Sequence, residues 1–194
     1  MSNNIEVEAR FKVADERALL KKLKDFGAKN IGAVVIEDHN FSMDRRDFWK
    51  SIEALRIRTE SNKSGGMLTY KPSGNKSQRV MTTKEYEVSI DDPSALMQIF
   101  KHIGIIPLKY LEYIKRTRRK YKYGVFNIVI DEYPELGPFI EIERIVLGKG
   151  NVSRAQREIE SLAIKLGLTE SDRQTVPVGF LLKEKRMGGV RNAK

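Results

Sequence analysis

Ile5, Val7, Ala9, Phe11 and Val13 alternate with Glu6, Glu8, Arg10 and Lys12. That period of two predicts a strand over 5–13 with one apolar and one charged face. Asp15 then caps a helix to about Phe26, with Leu19, Leu20, Leu23 and Phe26 on one side and Gly27 as the stop. Residues 32–43 read as a second strand and 44–51 as a polar loop. Residues 54–60 and 67–71 read as a hairpin around the polar turn Ser61 to Gly66. Residues 72–83 hold Gly, Ser, Asn and Lys with little periodicity, which predicts a loop, and 84–90 is another strand. Asp92-Pro93 opens a helix to Ile103, proline suiting a first helical turn. A long strand over 107–123 turns at Gly124 into 125–133, and 139–147 is the last long strand. Ser153 and Gln156 have the spacing of a capping box for a helix ending near Gly167. The apolar segment 176–182 is expected to pack back on the body. About eight strands and three helices, with no internal repeat, imply an α+β fold on a mainly antiparallel sheet.

Composition narrows the chemistry. The chain has 194 residues, enough for one sizeable domain, expected over 1–182. Residues 183–194 carry Lys183, Lys185, Arg186, Arg191 and Lys194 around Gly188 and Gly189, and read as a basic flexible tail. The formal charge of +10 favours polyanionic partners: nucleic acid, phosphorylated metabolites or anionic membrane. There is no cysteine, which removes disulfides, zinc-thiolate sites and thiol nucleophiles. No apolar run is long enough to span a bilayer, and Met1 to Asn4 lacks the apolar stretch of a secretory signal, so a cytoplasmic protein is expected. His39 and His102 are far apart in sequence, which disfavours a histidine-based triad or metal site. No GxxxxGK[ST] motif is present.

The charged faces form a set. Glu6, Glu8 and Arg10 share a face, as do Arg56 and Arg58, Thr69 and Lys71, Glu85 and Glu87, Arg116 and Arg118, and Glu141 and Glu143. On any one strand a water-facing side explains this. Taken together, the faces are dominated by glutamate and arginine in pairs ~7 Å apart rather than by mixed small polar residues. If the sheet closes with these faces inward, the lumen is crowded with both signs of charge. Such a lumen suits a polyphosphate with metal: arginine matches phosphate oxygens with a planar fork, lysine supplies a point charge, and carboxylates supply hard oxygen ligands. In the run Lys115 to Lys120, alternation sends Arg116 and Arg118 to this face and Lys115 and Arg119 to the other.

These residues resemble a known family. Glu6-Val7-Glu8-Ala9-Arg10 is similar to the ExExK signature of the CYTH, or triphosphate tunnel metalloenzyme, superfamily. In the same order as that family's motifs follow Leu55-Arg56-Ile57-Arg58, Leu68-Thr69-Tyr70-Lys71, Lys84-Glu85-Tyr86-Glu87, Arg116-Thr117-Arg118-Arg119-Lys120-Tyr121, Ile130-Asp131-Glu132, and Leu136-Gly137-Pro138-Phe139-Ile140-Glu141-Ile142-Glu143. Gly179-Phe180-Leu181-Leu182 resembles the SYxxLL ending of the class IV adenylyl cyclase-like branch. Arg10 stands where the signature has lysine; it keeps the charge but cannot become a neutral base. Asn40, in Asp38-His39-Asn40-Phe41, stands where the family has an aromatic.

The resemblance implies a closed eight-stranded antiparallel barrel, a tunnel with a charged lumen and helices outside. It implies Mg²⁺- or Mn²⁺-dependent chemistry on a small triphosphate: inorganic triphosphate, thiamine triphosphate or ATP. Arg10, Arg56, Arg58, Lys71, Arg116 and Arg118 would contact phosphate, with Arg10 and Lys71 the catalytic candidates. Glu6, Glu8, Asp131, Glu141 and Glu143 would bind or orient metal, with Glu85 and Glu87 assisting. The leading expectation is a triphosphatase; the alternatives are a class IV-type adenylyl cyclase and a binding module for polyphosphate, nucleotide or RNA 5′ ends. No membrane partner and no nucleic acid beyond RNA ends is expected, and a homodimer is compatible.

Overall fold

The computed structural model describes residues 4–51, 53–72, 86–148 and 151–191. In chain order these form β1 (Asn4–Lys12), α1 (Glu16–Asp25), β2 (Lys29–Met43), α2 (Phe48–Ser51), β3 (Ala54–Glu60), β4 (Gly66–Lys71), β5 (Tyr86–Ile90) and α3 (Pro93–His102). There follow β6 (Ile105–Pro107), β7 (Tyr113–Tyr123), β8 (Phe126–Tyr133), β9 (Gly137–Leu147), α4 (Val152–Leu166), a 3₁₀ turn (Glu170–Asp172) and α5 (Val178–Arg191). The chain divides into two compact units: residues 4–33 with 117–176, and residues 34–72 with 86–116 and 177–191. Strand β7 begins in the second unit and continues in the first.

In the first unit the alternation of β1 decides everything around it. Its apolar face, with Val7 and Phe11, joins Ile128, Ile130, Ile140 and Ile142 from β8 and β9 in a core roofed by Leu19 and Leu23 of α1 and Ile159 and Leu162 of α4. Each such side chain contributes about 1.5–3 kcal/mol by leaving water. The Asp15 side chain accepts a hydrogen bond from the Ala18 amide and starts α1 where the sequence predicts it. With the core face fixed, Glu6, Glu8 and Arg10 are committed to the other face, because a slip of one residue would bury them.

In the second unit Phe41, Ile57 and Phe100 form a smaller core, with Leu55, Leu68, Leu96 and Ile105 packed on it. Leu182 of α5 is 1% exposed, so the apolar 176–182 segment does pack back. Trp49 packs against Phe180 with tilted rings whose centroids are 4.1 Å apart, and Lys183 Nζ lies 4.0 Å from the Trp49 ring centroid. The turn between β3 and β4 ends at Gly65, whose φ is 72°. A Cβ there would collide with the Ile90 carbonyl oxygen. Gly65→Ala is therefore expected to destabilise the protein by more than ~1 kcal/mol, read as a lower urea midpoint.

Several expectations are corrected. Among the described residues the sheet has nine strands rather than eight and is not closed. Among the described residues its order is β1-β9-β8-β7-β2-β3-β4-β5, with β6 on β2, and no pairing joins β1 to β5. The ninth strand arises because the stretch read as one strand over 107–123 is broken. Leu111 N–H donates back to the Leu108 carbonyl, and Tyr110 takes φ 68°, a left-handed conformation that ends a strand. Among the described residues there are five helices rather than three: α2 lies inside the expected loop, and α5 runs from Val178 through Arg191. The Ser153–Gln156 capping box does not form. Helix α4 starts two residues earlier, after Asn151, whose side-chain amide donates to the Leu147 carbonyl instead. The expected loop over 72–83 lies, beyond Pro72, outside the described residues.

Candidate metal and phosphate sites

The charged face of the first unit is built by register. Glu8 pairs with Glu143 and Arg10 with Glu141 across β1 and β9. Across β8, Glu143 pairs with Asn127 and Glu141 with Val129. Paired residues point to the same side, so three carboxylates that are far apart in sequence meet. Oxygens of Glu8, Glu141 and Glu143 all lie within 4.8 Å of one another. Arg10 Nε donates to Glu141 Oε1 at 2.5 Å. Arg118 takes Asp131 with two bonds, Nε to Oδ1 at 2.6 Å and Nη2 to Oδ2 at 2.5 Å, and reaches Glu141 Oε2 at 3.3 Å.

Electrostatics in this cluster oppose one another. Burial alone would lower the Arg118 pKa, but the Asp131 bond and the charges of Glu141 and Glu143 more than reverse it, so the guanidinium stays charged. Arg10 is likewise raised against burial, by Glu141 and Glu8. At Glu143 the balance goes the other way. Burial, and then the charges of Glu6 and Glu141, push its carboxyl up to about 8 despite Arg118. Arg10 and Arg118 both reach Glu141, but at Glu143 burial and the neighbouring carboxylates outweigh Arg118. Three hard oxygen donors that close to one another suit a hard metal ion.

The second unit collects the opposite sign. Asp38, 4% exposed, receives Arg58 through Nε at 2.7 Å and Nη2 at 3.1 Å, and Arg116 through Nη1 at 2.6 Å. Arg56 Nε lies 3.8 Å away. Burial would raise the Asp38 pKa; the Arg58 bond and the charges of Arg116, Arg58 and Arg56 hold it well below the usual carboxylate range. Three guanidiniums on one carboxylate leave a net positive patch, the chemistry of an oxyanion site. Lys71 pairs with Ala54 and shares a face with Arg56, Thr69 and Arg58. Thr69 hydroxyl donates to Glu87, which is exposed.

The predicted residues thus fall into groups. Glu8, Glu141 and Glu143 come together; Asp131 is held by Arg118 beside them. Glu6 is exposed, outside that three-oxygen group, and acts on Glu143 through its charge. Arg56, Arg58 and Arg116 gather on Asp38, and Glu85 lies outside the described residues. Alternation along β7 is as expected: Arg116 and Arg118 serve these sites, whereas Lys115 pairs with Glu37 at 3.0 Å and Arg119 with Glu16. Asp38 is the residue that sequence reasoning missed. Its signal was a carboxylate on the same face as Asn40, on the strand before the arginine pair. Asn40 itself is structural, its side-chain amide donating to the Leu111 carbonyl at 2.8 Å.

Residues 4–175 match the family model described as the CYTH domain. The chain belongs to the CYTH family. A CYTH relative in Methanocaldococcus jannaschii, named "Putative adenylate cyclase MJ0240", is 32% identical over 169 residues, 87% of this chain and 93% of that one. The solved PH1819 protein from Pyrococcus horikoshii OT3 is 27% identical with a TM-score of 0.77, covering 93% of this chain and 99% of its own. HpAC1 from Hippeastrum, 15% identical with a TM-score of 0.68 over 93% of this chain and 96% of its own, shares the fold; that protein is described as having a dominant triphosphatase activity. Among the described residues, no helix of this CYTH protein is long and apolar enough to cross a membrane.

Proposed function

We propose that this protein hydrolyses the terminal phosphoryl group of a triphosphate, using a divalent cation, Mg²⁺ or Mn²⁺, held by Glu8, Glu141 and Glu143. The observation that carries the reading is the convergence of those three carboxylates within 4.8 Å of one another. When bound, the cation supplies Lewis-acid polarisation of the phosphoryl group and activation of water. Arg118 orients Asp131, and Arg10 orients Glu141. A guanidinium has five N–H donors, so each arginine can hold its carboxylate and still meet charge developing on phosphoryl oxygens. Within the second unit, Arg56, Arg58, Arg116 and Lys71 are the groups suited to bind phosphate oxygens. Arg10, fixed in its charged form, serves as an electrostatic group and not as a base.

A second reading, cyclisation of ATP to cyclic AMP and pyrophosphate, is favoured by the cyclase name of the 32%-identical relative. The products separate the two. Purified protein is incubated with inorganic triphosphate and, separately, with ATP, with Mg²⁺ or Mn²⁺, and products are resolved by phosphorus NMR. Orthophosphate is the expected result. Cyclic AMP with pyrophosphate would replace it by the cyclase, and metal-dependent binding with no product would leave a binding module.

A further inference from the structure

On the core face of β9 one charge interrupts an apolar row. Ile140, Ile142, Arg144 and Val146 share that face by alternation, and the three aliphatic side chains belong to the core of the first unit. A charged group in such a row is the informative exception. The Arg144 side chain is 18% exposed and pairs with Glu158 of α4. Glu158 is shared, because Arg154 Nε, one helical turn earlier, donates to its other oxygen at 2.9 Å. A carboxylate offers about four acceptor positions, whereas each guanidinium has five N–H donors. Glu158 therefore leaves donors over for a further anion.

These groups line a cleft of 380 Å³ between α4 and the end of the β7–β8 hairpin, a volume that suits a small molecule. Tyr123 and Phe126 pair beside the hairpin turn and pack against the core. Val125, in the turn, is 57% exposed. Lys165, in the last turn of α4, adds a third cation. The cleft thus joins aromatic and apolar surface to three cations and one carboxylate, a net charge of +2 among its lining residues. A phosphate monoester carries a charge of about −1.5 to −2 at pH 7. Arginine matches its oxygens with a planar fork, and aromatic side chains offer a face on which a ring can stack. The cleft lies across the sheet from Glu141 and Glu143, since Arg144 alternates with them along β9.

We propose that this cleft is a second ligand site, which binds an aromatic phosphate monoester of the nucleoside monophosphate class. The phosphoryl group lies on Arg144, Arg154 and Lys165, and the ring lies against Tyr123 and Phe126. The site is independent of the reading of Glu8, Glu141 and Glu143 as metal ligands; a hydrolase, a cyclase or a binding module would each carry it unchanged.

The test is calorimetry with AMP, adenosine and inorganic phosphate as probes. It is run without divalent metal, so that Glu8, Glu141 and Glu143 repel a phosphoryl group rather than hold one. The expected result is that AMP binds at least ~10-fold more tightly than either fragment. Arg144→Met should then weaken AMP at least ~10-fold, and Lys165→Glu at least ~5-fold, with adenosine affected less than about twofold. Circular dichroism checks both folds. Should Arg144→Met misfold, Lys165→Glu decides, because Lys165 is exposed. No binding of AMP by the parent protein overturns the proposal. Equal AMP affinity in parent and variants overturns it too, since AMP would then bind elsewhere. Inorganic phosphate binding as tightly as AMP removes the aromatic half of the site, and the proposal with it.

Discussion

Glu8→Gln is expected to lower metal-dependent triphosphate turnover at least ~100-fold while leaving the fold intact. The amide keeps the size of the carboxylate but removes a charged ligand oxygen from a group of three. Its removal also relieves repulsion, because Glu8 is among the charges that raise Glu143. Thermal stability without metal should therefore hold or rise as activity falls, a combination that a merely structural role does not produce. Phosphate release, Mn²⁺ binding by calorimetry and a melting curve read all three. Glu6→Gln should do less, since Glu6 is exposed and outside the three-oxygen group. Full activity and full Mn²⁺ affinity in Glu8→Gln would remove the metal role of this cluster.

Asp38→Asn is expected to destabilise the protein by ~3–5 kcal/mol, because breaking a buried ion pair from one side leaves charge uncompensated. Here it leaves Arg58 and Arg116 without their carboxylate and Arg56 beside them. Arg116 is 4% exposed, so water cannot take over. A pH dependence follows from the depressed Asp38 pKa. Stability from a carboxylate held below its unfolded value is fully present above that value, ~3.9. It is lost as pH falls through the window from there down to the folded pKa. The parent protein should lose urea resistance steeply below pH ~4, and Asp38→Asn should show a shallower slope over the same range. Equal slopes would mean that Asp38 is not the hub the geometry describes. Phosphate or triphosphate should raise the stability of the variant more than that of the parent, since an anion can stand in for the lost carboxylate.

Much of this protein was determined locally. The unbroken alternation of Ile5 to Val13 specified β1, its core face and the side on which Glu6, Glu8 and Arg10 must lie, because a period of two leaves no other choice. Asp15 and Asp92 set helix starts that the structure keeps, each through one hydrogen bond to an amide three residues on. Ordered motifs on alternating strands were enough to indicate the family. Tertiary structure alone decided the rest. Whether the sheet closes depends on pairing between β1 and β5, which neither strand's pattern encodes. The break after Pro107 came from a left-handed Tyr110, a conformation that nothing in its residue type announces. Pairing register selected Glu8, Glu141 and Glu143 from five candidate carboxylates and turned Asp131 to Arg118 instead. It also brought Asp38 opposite Arg58. Strand pairing joins residues by long-range hydrogen bonds whose partners lie up to 143 positions apart, as Asn4 and Leu147 do. A local pattern says which face a charge occupies; only the register says which other charge it meets.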